Sequence, residues 1–462
     1  MNIEIRNPAA PAEIVATYEP VPRTALDYLV ARARAAQIEW ACVPQPERGQ
    51  IIGAFLDALE KDAADIANSI TMEMGKPLSE ALGEVAKAIG EGRATVARAN
   101  APLGEVLPSQ VAGTIVQTIR RPRGVVLGIN PWNFPFSTPI RKAIPALIYG
   151  NAILLKPSTL SPGALVRMQQ AADATLPEGL LQVVIGGGAL GQDLCEHPGI
   201  AAVSFTGSVG VGKKVAAAAV SHLAEISLEL GGKNPVILND CSDLDRALDQ
   251  ITAAAFAVCG QRCTAISRVI VHEDIADAVT KGLAERASAI VPVDGRTDGA
   301  RMGPLASSTQ LEEVDGFVTR ALAEGAKAAA GGSKLDSPGG GWFYAPTVLC
   351  DVTRDMEVAR DEVFGPVLSV IRYADIDEAL SIANDVVFGL TSCLYSEQAP
   401  IVERFLAESE SGMLHVNAGS FPENHVPFVG IKDSALGVGG SNGASTIQFY
   451  TTEHAIYRRP RA

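Results

Sequence analysis

The sequence predicts an α/β protein built mainly on parallel sheets. From Gly124 onward, short apolar runs alternate with helical segments at intervals of roughly 20 to 30 residues, which is typical of repeated βαβ units. The first hundred residues instead have a helical periodicity. After Gly232 the alternation of helices and strands resumes and continues to about Val429, which is enough chain for a second α/β domain.

Five apolar runs predict the strands of the first sheet. They are apolar nearly throughout, which favours parallel strands covered by helices on both faces. We therefore expect a doubly wound sheet. The runs are VVLGI (125–129), AILLKP (152–157), LQVVIG (181–186), AAVSFTG (201–207) and EISLEL (225–230).

The other elements follow from helical periodicity and from β-rich segments. Predicted helices cover residues 24–41, 47–74 and 244–258, with a break at 75–77 and a further helix from Ser79 onward, and a strand covers 267–272. GTIVQTIRR (113–121) and STIQFYTTEHAIY (445–457) are β-rich but lie outside both βαβ series. Long strands of this kind have exposed edges, which usually pair with another subunit.

The composition excludes several classes of function. With 462 residues, 47% of them hydrophobic and 19% charged, the chain has the composition of a globular protein. The net charge of −14 disfavours binding to nucleic acid or to an anionic membrane. The sequence contains no apolar run long enough to span a bilayer and no signal pattern at its start, so we expect a cytoplasmic location.

The seven cysteines lack the spacing of a disulfide framework, which predicts reduced thiols. Two of them, Cys259 and Cys263, lie four positions apart in VCGQRCTAISR (258–268). A zinc site would need further ligands nearby, but His272 is the nearest histidine that follows, and we expect no metal. The pair therefore consists of core thiols or contains a reactive cysteine.

Glycine-rich turns follow two of the predicted strands, at the edge where a doubly wound sheet holds its ligands. GSVGVG (207–212) leads into a helix, so its backbone amides suit a pyrophosphate, although glycine turns without a ligand are also common. Gly186, Gly188 and Gly191 form a second pattern, but the acidic residue that usually accompanies it is missing. We interpret this one as a turn that borders an adenine pocket.

Three further turns carry single chemical groups. In NPWNFPFS, Pro131 and Pro135 fix the backbone around Asn133, whose amide either donates to an oxyanion or satisfies its own turn. Lys156 in KPST lies where a ribose or phosphate binds, unless it is a surface lysine. Glu229 ends an apolar strand, where burial raises the pKa of a carboxyl toward the range of a general base.

Together these segments resemble a known family. PWNFP, FTGS, LELGGK, GQRCTA and EVFGP occur in this order over nearly the whole chain and are similar to motifs of the aldehyde dehydrogenase superfamily. The resemblance implies a Rossmann-type dinucleotide-binding domain (1–111 and 124–231), an α/β catalytic domain (232–430) and oligomerisation strands (112–123 and 440–462). It also implies a homodimer or homotetramer. Because the chain begins almost at NPA (7–9), we expect a leading hairpin to be absent.

The resemblance implies the catalytic groups and the reaction. Cys263 matches the nucleophile, Glu229 the general base, and Asn133, with the backbone N–H of Cys263, the oxyanion hole. A thiolate attacks an aldehyde, hydride leaves the thiohemiacetal, and water activated by Glu229 hydrolyses the thioester to the carboxylate. Cys259 has no matching role. As remote alternatives, a cysteine hydrolase would need a histidine beside the nucleophile, and a non-enzymatic protein would have no reason to keep nucleophile, base and oxyanion donor together. Relatives that transfer the acyl group to coenzyme A typically lack the glutamate of ELGGK.

The resemblance further implies a nicotinamide dinucleotide. Lys156 matches the residue that holds the adenosine ribose, and Glu362 the one that holds the nicotinamide ribose. Thr159 stands where many NAD-dependent members carry a glutamate, which leaves room for a 2′-phosphate, so the expected cofactor is NADP or NAD. The predicted cofactor residues are Ile129, Trp132, Lys156, Ser158, Thr159, Gly207, Ser208 at the pyrophosphate, Leu230, Glu362 and Phe364 beside the ring.

The substrate is less well defined by the sequence. Arg141, in FSTPIRKAIP, resembles an arginine that binds the distal carboxylate in semialdehyde dehydrogenases. Relatives with neutral substrates also carry an Arg-Lys pair there, and Ala257 replaces the second arginine of succinate-semialdehyde enzymes. We therefore expect succinic or 2-oxoglutaric semialdehyde, with uncharged aliphatic or aromatic aldehydes as the alternative.

Overall fold

The structure, a computed structural model, describes residues 2–439 and 441–459. Its helices within these residues are α1 Leu26–Cys42, α2 Gln45–Lys61, α3 Ala63–Met74, α4 Leu78–Val96, α5 Ser137–Ile148, α6 Gly163–Thr175, α7 Gly188–Glu196, α8 Val209–Val220, α9 Leu244–Phe256, α10 Ala276–Ser288, α11 Ser308–Ala323, α12 Glu357–Arg360, α13 Ile376–Asn384, α14 Ala399–Glu408 and α15 Thr446–Tyr450.

The strands within the same residues are β1 Ile3–Asn7, β2 Ala10–Tyr18, β3 Val106–Leu107, β4 Ile115–Pro122, β5 Val125–Ile129, β6 Ala152–Lys156, β7 Leu181–Val183, β8 Ala202–Thr206, β9 Glu225–Glu229, β10 Asn234–Leu238, β11 Ile266–His272, β12 Lys327–Ala330, β13 Lys334–Leu335, β14 Phe343–Tyr344, β15 Thr347–Cys350, β16 Val367–Tyr373, β17 Phe388–Gly389, β18 Thr391–Tyr395, β19 Met413–Val416, β20 Ile431–Lys432, β21 Ala435–Gly437 and β22 Thr451–Arg458.

The first sheet contains all five predicted strands and confirms the doubly wound arrangement. Its order is β21-β9-β8-β5-β6-β7, parallel except for the edge strand β21, which pairs antiparallel with β9. The chain runs outward from β5 through β6 to β7 and then returns to β8 on the other side of β5. The strand order thus reverses between β5 and β8, and ligands of such sheets bind outside the carboxyl ends at this point.

A second sheet follows in the chain and has its own buried core. Its order is β12-β15-β16-β11-β10-β18-β19, and all neighbours are parallel except β12 and β15. The buried residues of the two sheets form two separate apolar clusters. The mixed α/β class predicted from the sequence is therefore confirmed, while the residue ranges of the domains stay a prediction.

A third, antiparallel sheet of order β22-β4-β3 joins the two β-rich segments. β4 and β22 pair along their full lengths, from Ile115 opposite Arg458 to Pro122 opposite Thr451. The predicted strand at 445–457 is correct only in its second half, because Thr446–Tyr450 forms α15, which buries Phe449 and Tyr450. Within the predicted segment 440–462, residues 440 and 460–462 lie outside the described residues.

Two expectations for the amino-terminal region are wrong. A leading hairpin is present: β1 pairs with β2, and the NPA segment forms its turn, where Asn7 Oδ1 accepts from the Ala9 N–H at 2.9 Å. The predicted helix 47–74 is two helices that meet at Asp62. The Asp62 carboxylate accepts from Arg167 Nη1 at 3.0 and 3.1 Å, a tertiary contact that periodicity does not reveal.

No helix of the described chain combines the length and apolar character needed to cross a bilayer. The seven cysteines, all of which lie in the described ranges, are free thiols. Residues 2–439 and 441–459 contain no group of three or more metal-binding side chains.

Candidate active site

A cavity of about 470 Å³ brings together residues that are far apart in the sequence. Its walls come from the turns after β5, β8 and β9 of the first sheet, from the segment before β11, and from the segment between α12 and β16. Ten of the fourteen predicted site residues line it: Trp132, Asn133, Arg141, Gly207, Ser208, Glu229, Leu230, Cys263, Glu362 and Phe364. Ile129, Lys156, Ser158 and Thr159 do not line it.

The loop that carries Cys263 has an unusual backbone. Val258, Cys259 and Gly260 have φ angles of 55°, 56° and 67°, so the chain turns sharply between α9 and Cys263. Positive φ is costly for a β-branched residue such as valine. A side chain at position 260 would overlap the Gly365 carbonyl oxygen, which lies 2.1 Å from the position of a Cβ, so this position requires glycine. The turn brings Cys263 to the cavity wall.

The two cysteines of this loop have different surroundings. Cys263 is half-buried and lines the cavity. Cys259 is 1% exposed and packs in the core of the second sheet. Burial raises the pKa of the Cys263 thiol to about 12, with a smaller contribution from Glu362, and burial likewise raises the pKa of Cys259. Access to the cavity, rather than acidity, therefore distinguishes the two thiols.

Asn133 lies in the loop between β5 and α5 and points toward the cysteine loop. Its Nδ2 donates to the Gln261 carbonyl oxygen at 2.8 Å, two residues before Cys263. Its own carbonyl oxygen accepts from Lys76 Nζ at 2.8 Å. Asn133 is 5% exposed and lines the same cavity as Cys263. This placement suits a donor to an oxygen atom of a molecule bound at Cys263.

Glu229, the last residue of β9, is buried beside the same cavity. Its Oε1 accepts from the Ser441 N–H at 3.2 Å, and its Oε2 is buried with no hydrogen-bond partner among the described residues. Burial raises the pKa of this carboxyl, and the nearby Lys142 opposes the rise. Burial lowers the pKa of Lys142, whose Nζ donates to Thr206 Oγ1 at 2.6 Å. A carboxyl with a raised pKa and one free oxygen is suited to general base catalysis.

The predicted cofactor residues that do not line the cavity lie at and just after the ends of β5 and β6. Ile129 pairs with Lys156 in the sheet, and Ser158 and Thr159 follow directly. The Lys156 side chain lies against Gly191 of α7, where a Cβ would be 3.1 Å from its Cε. The second glycine pattern therefore contacts the lysine predicted to hold the adenosine ribose.

The residues at the reversal of strand order fit a dinucleotide. Gly207 and Ser208 lie between β8 and α8, and Ser208 is the N-cap of that helix, whose first N–H groups suit a pyrophosphate. Glu362 Oε1 accepts from the Gly232 N–H at 3.0 Å. Burial raises the pKa of Glu362 to about 7. A Cβ at Gly231 would lie 2.1 Å from Glu362 Oε2, so the glycine pair lets this carboxylate approach the backbone.

The aromatic pair Trp132 and Phe364 closes part of the same cavity. Their rings meet edge to face with centroids 5.5 Å apart. Phe364 has a φ of 53°, and its carbonyl oxygen accepts from Gln310 Nε2 at 3.2 Å. An apolar surface of this kind suits a flat aromatic ring of a ligand.

A cluster of charged side chains occupies the remaining wall. Arg141 donates through Nε and Nη2 to the two oxygens of Glu91, at 2.8 and 2.7 Å. Lys87 Nζ lies 3.7 Å from Glu91 Oε1, and Arg262 Nη2 donates to the Ala254 carbonyl oxygen. Lys87, Arg141 and Arg262 all line the cavity. Arg141 is thus present as predicted, but Glu91 already binds one edge of its guanidinium group.

Sequence reasoning missed Lys76, Glu84, Lys87, Glu91 and Lys142. Glu84 and Lys87 line the cavity, and the other three contact residues that do. The helical pattern from Ser79 onward predicts α4 but does not indicate which of its charged residues are buried. Lys142 directly follows Arg141 and had a weak signal, since a lysine in an otherwise apolar helix needs a partner.

The comparisons with known proteins agree with this geometry. The sequence matches the aldehyde dehydrogenase family over residues 1–456. It is 36% identical to an alpha-ketoglutaric semialdehyde dehydrogenase of Bacillus subtilis, covering 99% of this chain and 95% of the relative. A corresponding enzyme of Haloferax volcanii is 38% identical, with 98% and 95% covered. A betaine aldehyde dehydrogenase of Cereibacter sphaeroides is also 38% identical, with 98% and 93% covered.

Solved structures have the same fold over the whole chain. Lactaldehyde dehydrogenase from Escherichia coli superposes with a TM-score of 0.96 at 32% identity, covering 100% of this chain and 96% of its own. An NADP-dependent enzyme of Escherichia coli gives 0.96 at 30%, with 100% and 95% covered. A betaine aldehyde dehydrogenase of Staphylococcus aureus in complex with NAD+ gives 0.96 at 28%, with 100% and 93% covered. The chain therefore belongs to the aldehyde dehydrogenase family and is an NAD(P)-dependent oxidoreductase that acts on an aldehyde.

Proposed function

We propose that this enzyme oxidises 2-oxoglutaric semialdehyde to 2-oxoglutarate, with Cys263 as nucleophile, Glu229 as general base and Asn133 as oxyanion donor. The observation that carries the substrate class is the cationic wall formed by Lys87, Arg141 and Arg262. Succinic semialdehyde, which has the same two end groups, is the second candidate of this class.

The charges around the cavity favour an anionic substrate. Two of the three cations, Lys87 and Arg141, lie against one buried carboxylate, Glu91, which is 1% exposed. The lining itself contains four acids: Glu84 is paired with Lys76 at 2.6 Å, Glu313 of α11 is exposed, and burial raises the pKa of both Glu229 and Glu362. Arg141 retains Nη1 for a further carboxylate, since Glu91 uses only Nε and Nη2. A carboxylate at the far end of the substrate would gain charge-assisted hydrogen bonds there.

The same wall distinguishes among the relatives. Two of them act on alpha-ketoglutaric semialdehyde and a third, equally similar, acts on betaine aldehyde. A quaternary ammonium group is repelled by cations and is held in proteins by aromatic side chains. Beside this wall, the ring of Phe428 lies 5.2 Å from the Arg141 guanidinium. This ring is therefore already occupied by a cation of the protein. These contacts support the semialdehyde over the betaine.

The first half of the reaction uses the cysteine loop and Asn133. The Cys263 thiol must lose its proton before attack, because burial holds its pKa well above neutral. Attack on the aldehyde carbon gives a thiohemiacetal, whose oxygen accepts hydrogen bonds from Asn133 Nδ2 and the Cys263 N–H. A bound nicotinamide dinucleotide supplies the acceptor for the hydride. Glu362, Trp132 and Phe364 would hold its nicotinamide end.

The second half hydrolyses the thioester on Cys263. Glu229 Oε2 has no partner among the described residues and is available to take a proton from water. The resulting hydroxide attacks the thioester carbon, the C–S bond breaks, and the carboxylate product leaves. The carboxyl is active only in its ionised form, so this half should become faster as the pH rises through the raised pKa of Glu229.

A panel of aldehydes tests the substrate. We expect kcat/KM to be highest for 2-oxoglutaric semialdehyde, about tenfold or more lower for uncharged aldehydes of similar length, and lowest for betaine aldehyde, since ~1.4 kcal/mol of lost carboxylate binding gives a factor of ten. Steady-state rates with each cofactor measure this order. A preference for uncharged aldehydes would refute the proposal.

A charge-balanced variant tests the wall itself. Arg141→Met alone would leave Glu91 buried without its partner, so the informative protein is Arg141→Met/Glu91→Gln. We expect it to lose most of the preference for the anionic substrate while its kcat/KM for an uncharged aldehyde changes little. Equal losses for both substrates would instead indicate general damage to the cavity.

The cofactor preference depends on Thr159. It is half-buried beside Lys156, and a carboxylate there would repel a 2′-phosphate, at a cost of about 4 kcal/mol for charges ~4 Å apart at a dielectric constant near 20. We therefore expect wild type to use NADP at least as well as NAD, and Thr159→Glu to lower kcat/KM for NADP by about tenfold or more. Thr159→Gln, of the same size but uncharged, is the control and should have a much smaller effect.

Two further features remain part of the proposal. The pairing of β4 and β22 outside both large sheets, with exposed Tyr457 and Ile115, supports a homodimer or homotetramer. Light scattering at micromolar concentration would contradict this if it gave the mass of one 48.2 kDa chain.

We also propose a cytoplasmic location, which the free thiols support. Fractionation of cells that express the protein tests the location.

A further inference from the structure

Three charged residues at the start of α4 have no part in the reaction described above. Lys76 lies in the turn between α3 and α4, and Glu80 and Glu84 lie in the first two turns of α4. The side chains of Lys76 and Glu84 are each 1% exposed, and burial raises the pKa of Glu80. Buried charges are costly unless their partners compensate, so their contacts need an explanation.

Lys76 and Glu84 together hold the loop of the oxyanion donor. Lys76 Nζ donates to Glu84 Oε2 at 2.6 Å and to the Asn133 carbonyl oxygen at 2.8 Å. Glu84 Oε1 accepts from the N–H groups of Phe136 and Ser137, both at 3.0 Å. The segment 133–137 is therefore fixed at both ends by one buried ion pair.

Glu80 holds the nucleophile loop in a similar way. Its two carboxylate oxygens accept from the Val258 N–H at 3.1 and 3.2 Å. Val258 begins the three-residue stretch of positive φ that leads to Cys263. Such strained conformations persist only where surrounding contacts hold them. Glu80 lies on α4, which packs in the first core, and it provides such a contact to Val258, which belongs to the same core, while the next residue, Cys259, packs in the second.

We propose that the buried Lys76 and Glu84 and the half-buried Glu80 form a brace that positions Asn133 and the Cys263 loop relative to each other. The backbone groups that the brace binds lie in the Asn133 segment (133–137) and at Val258 in the Cys263 loop. The three are positioning residues, since none of them contacts the reacting atoms. The proposal rests on the roles proposed for Asn133 and Cys263 but not on the identity of the aldehyde.

A double variant separates positioning from stability. In Lys76→Met/Glu84→Gln no buried charge is left unpaired, and the glutamine oxygen still accepts from Phe136 and Ser137, but the bond to the Asn133 carbonyl is lost. We expect the double variant to regain most of the Tm that Lys76→Met loses, yet to keep kcat lowered by about tenfold or more, because small misplacements of catalytic groups cost this much. The Kd for NADP should not change.

The Glu80 contact is tested by the reactivity of the thiol. In Glu80→Ala we expect the rate of Cys263 alkylation by iodoacetamide, and its pH profile, to differ from wild type, and kcat to fall. Glu80→Gln keeps an acceptor for the Val258 N–H and should restore both. The matched control is Glu73→Ala: Glu73 is more buried than Glu80 but bonds Tyr18 and Gly163, so its loss should lower Tm without changing kcat or alkylation.

The outcomes distinguish the proposal from a purely structural role. Recovery of wild-type kcat together with Tm in the double variant would overturn the part assigned to Lys76 and Glu84. An unchanged alkylation profile in Glu80→Ala, with only Tm lowered, would overturn the part assigned to Glu80. If the proposed nucleophile itself were wrong, Cys263→Ala would remain active, which is a separate result.

Discussion

Replacement of Cys263 by alanine is expected to abolish aldehyde oxidation, while Cys259→Ala keeps most of it. The reaction needs a sulfur atom that bonds covalently to the substrate, and loss of a catalytic nucleophile typically lowers kcat by more than about 10⁴-fold. Only Cys263 of the two lines the cavity with Asn133 and Glu229. Cys259 is enclosed in the core of the second sheet, so its replacement removes packing rather than chemistry.

Steady-state rates and Tm of both variants measure this prediction. Cys393→Ala is a suitable control, since Cys393 is another core thiol, in β18, and does not line the cavity. We expect Cys259→Ala and Cys393→Ala to lower Tm by similar amounts and to leave kcat nearly intact. Equal loss of activity in Cys259→Ala and Cys263→Ala would show that the nucleophile is wrongly assigned.

The sequence predicts best the strands of the repeated βαβ units. The five strands of the first sheet were located to within three residues at each end, because parallel strands buried on both faces are apolar throughout. The sequence pattern does not predict the hairpin of Ile3–Asn7 and Ala10–Tyr18, since its pairing depends on a two-residue turn and on few buried side chains. The sequence predicts strand where α15 forms, because Ile447, Phe449 and Tyr450 favour either structure.

The sequence predicts those site residues that stand at, or just after, the end of a strand. Lys156 and Glu229 end strands of the first sheet, and Asn133 and Gly207 come shortly after two others. The carboxyl ends of these strands meet at one edge of the sheet. The roles given to these residues came from the resemblance to the family, and they remain to be tested by substitution.

Charged partners from distant helices were not predictable. The bond from Lys76 to Asn133 spans 57 residues, and the pair of Arg141 with Glu91 spans 50. A helix that alternates polar and apolar residues gives no sign of which acids are buried, since that depends on how α4 packs against α5. The sequence therefore indicated Arg141 as a substrate ligand but not the carboxylate that already binds it.

With Glu229 as the proposed general base, its environment sets the pH dependence expected for the second half of the reaction. Burial raises the pKa of this carboxyl above its ordinary value, so a larger share of it is protonated near neutral pH than in water. Only the ionised form accepts a proton from water. Hydrolysis of the thioester should therefore be slow below this pKa and reach a plateau above it. The transfer of hydride, which needs no base at that step, should not share this dependence.

Glu229→Gln is expected to separate the two halves. The glutamine keeps the size of the side chain and an acceptor for the Ser441 N–H, but it takes no proton from water. We expect a burst of NAD(P)H close to one per active site and then a steady rate lower by about 100-fold or more, the usual contribution of a general base. Stopped-flow absorbance measures the burst, and mass spectrometry of the quenched protein detects the acyl group on Cys263. A variant with normal steady-state turnover and no acyl-enzyme would exclude Glu229 from the mechanism, because the thioester would then be hydrolysed without it.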